Sequence, residues 1–163
     1  MELSKYTKSV LKKFGWVEGR DISEQLIISE QKDSFPEAIS LMSEFGFLKI
    51  EFKKKKQLET IYFDCDDSKK SEVLRANIFG YDDPDDPKLK VELDYMQFED
   101  FQTTSKISEQ IGECCRLGFY EDQLGHDIYV ATNGNIYVAH GTKAFISANS
   151  FVEFLNNHIK EET

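Results

Sequence analysis

The chain has 163 residues, the length of about one ordinary domain, and its 40% hydrophobic and 13% aromatic side chains exclude a disordered tail. Thirty acidic against twenty basic residues leave a net charge of −10 and a pI near 4.8, which removes the electrostatic term behind nucleic-acid binding and favours a basic or neutral protein partner. No run approaches the roughly 18 apolar residues of a membrane helix. Residues 1–14 lack a signal peptide's apolar centre, and three cysteines without C-x-x-C spacing point to a reducing cytoplasm.

In chain order, Leu3, Thr7, Val10, Leu11 and Phe14 share one helical face, and Gly15 stands where a left-handed cap residue belongs. Leu26-Ile27-Ile28 reads as a short strand. Ser34-Phe35-Pro36-Glu37 combines a capping-box spacing with an early proline, and Ala38, Leu41, Met42 and Phe45 then follow a helical period closed by Gly46. Residues 47–64 read as a hairpin whose solvated tip is the run Lys53 to Lys56. Residues 70–79 are weakly helical, 80–87 form a turn-rich acidic loop, and Leu89, Val91 and Leu93 alternate as a strand.

Ile107 and Ile111 predict a helix over 103–112, after which Cys115, Leu117 and Phe119 alternate as a strand. Asn133-Gly134 between residues 127–132 and 135–139 predicts a type I′ hairpin that pairs Thr132 with Asn135. Phe151, Phe154, Leu155, His158 and Ile159 mark a closing helix capped by Asn149 or Ser150. Strands arriving as hairpins among helices predict one α+β domain over residues 1–163, an antiparallel sheet with helices packed against it.

No residue set assembles into a catalytic, cofactor or metal site. His126, His140 and His158 fall in different elements without metal-ligand spacing, and the aspartate runs lack the calcium-loop pattern. Cys114 offers a nucleophile only if a histidine serves as its base, whereas Cys114-Cys115 also reads as an alternating surface and core pair. Between Gly80 and Asp100, Asp82, Asp83, Asp85, Asp86, Glu92, Asp94, Glu99 and Asp100 stand against Lys88 and Lys90, a local net charge of −6. That segment is either a solvated surface or a docking face for a basic protein. Gly15, Trp16, Gly19 and Arg20 can serve as a cap, a core anchor, a turn and a clamp on a carbonyl or carboxylate; Trp and Arg are also hot-spot residues.

Gly15-Trp16-Val17-Glu18-Gly19-Arg20 is similar to the GW-x-x-GR signature of the SUKH superfamily, specifically its third family of bacterial immunity proteins. The resemblance continues through Phe35-Pro36, Glu44-Phe45-Gly46-Phe47-Leu48, Ile136-Tyr137 after Asn133-Gly134, and Ser150-Phe151. It implies an α+β fold and a non-catalytic antitoxin that binds the toxic domain of a cognate secreted toxin, often a nuclease, in the producing bacterium's cytoplasm. A regulatory or scaffold protein-binding module is the alternative. No cofactor, nucleic acid or membrane enters either reading.

Overall fold

Ser4 opens helix α1 (Lys5–Lys13), its hydroxyl accepting the Thr7 N–H at 3.0 Å and so satisfying one of the donors a helix start leaves unpaired. The computed structural model describes residues 1–25, 35–63 and 105–161. The far end of α1 is a Schellman turn: Gly15 takes φ 102°, and the Trp16 N–H reaches the Leu11 carbonyl at 3.2 Å. Thr7, buried in the helix face, donates to the Ile159 carbonyl at 3.2 Å, which ties α1 to the last described turn of the fold.

Helix α2 (Pro36–Phe45) begins one residue later than the predicted capping box requires. Pro36 occupies the first helical position and disfavours helical backbone at the residue before it, so Phe35 becomes the N-cap and Glu37 falls short of the box position. Gly46 closes α2 through close approach, since a Cβ there would lie 2.5 Å from the Met42 carbonyl oxygen. The left-handed residue is Phe47, at φ 64°.

The sheet is an antiparallel meander in sequence order. Strands β1 (Lys49–Lys54) and β2 (Gln57–Tyr62) form the expected hairpin, with Lys54 opposite Gln57 and the left-handed pair Lys55-Lys56 as its turn. Helix α3 (residues 105–111) leads into β3 (Cys114–Glu121), β4 (Gly125–Ala131), β5 (Ile136–His140) and β6 (Lys143–Ala148). Helix α4 (Phe151–His158) closes the described fold. Ser150 is its N-cap, and Glu153 reaches back to the Asn149 N–H at 2.7 Å.

Two sequence expectations are corrected and one strand is added. Phe119 does not continue the alternation of Cys115 and Leu117. The β3–β4 register shifts between Arg116 and Gly118, the extra residue turns Tyr120 inward, and Tyr120 instead of Phe119 joins the core. Thr132 does not pair with Asn135: Ala131 donates to the Asn135 carbonyl, and among the loop residues Gly134 alone has positive φ. The Asn133 side chain accepts the Asn135 N–H instead, giving a three-residue loop. That register sets Ile128 beside Val138 and keeps the apolar sides of the two strands together. The added strand, β6, has no counterpart in the sequence reading, because adjacent Phe145 and Ile146 break the alternation that would have marked it. The expected strands at 26–28 and 89–93, the weak helix at 70–79 and the loop at 80–87 lie outside the described residues.

One sheet face carries the main core, where α1, α2 and α4 meet strand residues such as Ile50, Ile61, Ile128 and Ile136. Tyr129, alternating with Ile128 and Val130, points the other way and is buried with Ala139 under Ile107 of α3. An antiparallel sheet with helices on both faces is the observed α+β architecture.

Candidate functional site

The Gly-Trp-x-x-Gly-Arg segment folds back on the end of α2. Trp16 is 1% exposed, and its indole N–H donates to the Glu44 carboxylate at 3.2 Å. Arg20 forks onto two backbone carbonyls, those of Glu44 and, at 2.8 Å, Gly46. These are acceptors that a helix C-terminus leaves unpaired, and a cation there opposes the negative end of the helix dipole. Gly19, at φ 76°, makes the turn that brings the guanidinium round. In this geometry Trp16 is buried and Arg20 caps the end of α2.

The three histidines, far apart in sequence, converge at one end of the sheet. His126, the second residue of β4, lies directly opposite Tyr120, His140 closes β5 and His158 closes α4. The His126 ring lies 5.6 Å from that of His140, and the His158 ring lies 4.8 Å from Tyr120 and 4.5 Å from Phe154. His126 Nε2 stands 3.3 Å from the Asp122 carboxylate, and His140 Nδ1 lies 3.0 Å from the Gly125 carbonyl. Buried Glu59 accepts the Tyr120 hydroxyl. Sequence spacing hides this cluster, although two signals carry it: His126 is in phase with Ile128 and Val130, and His158 follows Phe154 by one helical turn.

Two members of the cluster, Tyr120 and His158, are poorly suited to proton transfer. Burial, followed by the Glu59 carboxylate, pushes the Tyr120 hydroxyl well above its ordinary value, so it stays protonated. Burial likewise takes His158 down to about 4, with the charges of Lys54, Lys160 and His126 acting in the same direction against Asp122. Its Nδ1 is buried and has no hydrogen-bond partner among the described residues. A neutral folded imidazole has a stability consequence. Below its ordinary value of 6.5 the unfolded chain takes up a proton that the folded chain refuses until about 4, so His158 costs no stability above that window and progressively more within it. Wild type is expected to lose more melting temperature than His158→Phe between neutral pH and about pH 5. Equal losses would show that the folded imidazole takes up its proton at an ordinary pH.

Cys115 is in the main core, while Cys114 faces the opposite side beside the Ile107 cluster. Burial, then Cys115 and Glu113, raises the Cys114 thiol to about 11, the reverse of an activated nucleophile. Among the described residues no three His, Cys, Asp or Glu side chains are grouped to hold a metal ion, and no helix is long and apolar enough to cross a membrane. Asn133 and Gly134 form the β4–β5 loop at the sheet end opposite the histidines. The acidic residues Asp82, Asp83, Asp85, Asp86, Glu92, Asp94, Glu99 and Asp100 lie outside the described residues.

No curated protein and no solved structure matches the chain. A family match does exist, to the SUKH-3 immunity proteins, and it runs over residues 3–161. It therefore takes in the Trp16–Arg20 clamp, the whole meander and the closing helix, and on that extent the chain belongs to the SUKH-3 immunity protein family.

Proposed function

We propose that the chain is a non-catalytic inhibitor that acts in the cytoplasm by binding the toxic domain of a cognate secreted bacterial toxin. The observation that carries this reading is family membership over residues 3–161. The protonated Cys114 thiol and the neutral, enclosed His158 support it, since neither is prepared for nucleophilic or acid–base work. Co-purification with the toxic domain encoded by the neighbouring gene, and survival of cells expressing that domain, test it. Cys114→Ala protects as well as wild type on this reading; a variant that still binds but no longer protects would point to catalysis.

A basic toxic domain, such as a nuclease whose groove holds phosphates, accounts for the local net charge of −6 between Gly80 and Asp100. Asp82, Asp83, Asp85 and Asp86, in a stretch of sequence that also contains Pro84 and Pro87, then act as substitutes for phosphate, and Glu92, Asp94, Glu99 and Asp100 add to the negative charge. Reversing the four aspartates to lysine is expected to slow association about tenfold or more and to flatten its salt dependence, because such charges act mainly on the on-rate. Stopped-flow mixing at two salt concentrations measures this. Wild-type kinetics from the quadruple variant would leave the segment as solvated surface.

A further inference from the structure

The two outer strands of the described sheet are finished differently. Four of the six residues of β1 are charged: Lys49, Glu51, Lys53 and Lys54. Charge of this kind blunts a free edge against strand pairing. At the other end, β6 pairs among the described residues with β5 alone, and it carries one charge, Lys143, ahead of Ala144-Phe145-Ile146-Ser147-Ala148. Phe145 is 60% exposed and Ile146 58%, and they project from opposite faces of the sheet, beside Val138 and Tyr137 respectively. An extended strand added at this edge can meet both, whereas a helix laid on either face reaches one of them.

The edge already shows the required hydrogen-bond pattern at its first residues. The Gln110 carboxamide, from α3, donates to the Thr142 carbonyl and accepts the Ala144 N–H at 3.2 Å, as the peptide unit of a neighbouring strand would. Ala144 therefore turns its N–H away from β5. By the two-residue period of a strand the next outward N–H belongs to Ile146. Gln110 covers the first outward pair and stops where the apolar side chains begin.

Resting on the immunity reading above, we infer that the toxic domain docks by adding an extended segment of its own to the β6 edge, hydrogen-bonded to the Ala144 carbonyl and the Ile146 N–H, with apolar side chains over Phe145 and Ile146. Charge selects this occupant over a second copy: two chains of −10 repel each other, whereas a neutral or basic partner strand does not. Acidic residues elsewhere then set the rate of encounter, and the strand addition sets the lifetime of the complex.

The test uses the full chain and the toxic domain encoded beside it. Amide exchange across residues 143–148 is expected to slow by about tenfold or more in the complex, because a free edge opens locally at little cost. Phe145→Lys/Ile146→Lys is expected to raise Kd by about 100-fold with an unchanged melting temperature. Ile146→Pro, which removes one outward donor and is tolerated at a sheet edge, is expected to shorten the complex lifetime. A complex in which 143–148 exchanges as in the free chain overturns the inference, as does wild-type affinity in the double lysine variant. So does a free chain that is dimeric until those lysines are introduced, since the edge would then belong to a second copy. Failure to bind the toxic domain at all removes the immunity reading itself and this inference with it.

Discussion

Phe154→Ala is expected to destabilise the fold by about 3–5 kcal/mol, the range for deleting a fully enclosed aromatic ring from a core that cannot collapse around the gap. Phe154 has no exposed surface, stacks on Phe151 with ring centroids 5.9 Å apart, and lies 4.5 Å from the ring of His158. It is the middle anchor of α4, and α4 follows β6 after two residues. Urea denaturation measures the loss. Amide exchange adds a spatial readout: residues 143–158 are expected to lose protection ahead of β1 and β2, because the strand and helix share one attachment. An unchanged denaturation midpoint would mean that the ring is not in the core.

The elements legible in the sequence are those whose burial repeats with a clear period. The α1 and α4 faces, the hairpin of residues 47–64 and the α2 stripe of Ala38, Met42 and Phe45 each show apolar residues at the spacing of the structure they form. What was hidden depends on a neighbouring strand. Nothing within Cys114–Glu121 marks Leu117 as the extra residue; the shift shows only against β4, and it decides that Tyr120, not Phe119, faces the histidines. The Asn133-Gly134 pair marks a hairpin correctly, yet the loop length is set by the need to keep Ile128 and Val138 on one face. The histidine cluster is a product of register and topology together. Strand β6 has no legible period because its two large apolar side chains serve opposite faces, and the described fold buries neither.

Gly118→Ala is expected to cost about 3 kcal/mol or more, through a clash that side-chain motion cannot relieve. A Cβ at Gly118 would lie 1.9 Å from the Tyr62 carbonyl oxygen and 2.9 Å from its carbon, and both are backbone atoms of the adjacent strand. Relief requires β2 and β3 to separate where Tyr62 pairs with Phe119 and Ile61 with Tyr120. That separation pulls the Tyr120 hydroxyl from Glu59 and leaves a buried carboxylate without its donor. Lowered urea stability and faster amide exchange on both sides of the β2–β3 seam are the expected results. Protection against a toxin should fail in this variant because the folded population falls, and it should recover at lower temperature. In Phe145→Lys/Ile146→Lys, by contrast, it should fail at every temperature with the fold intact, so the pair separates loss of structure from loss of contact. Wild-type stability in Gly118→Ala would mean that the two strands lie farther apart at this point than 1.9 Å of clearance allows.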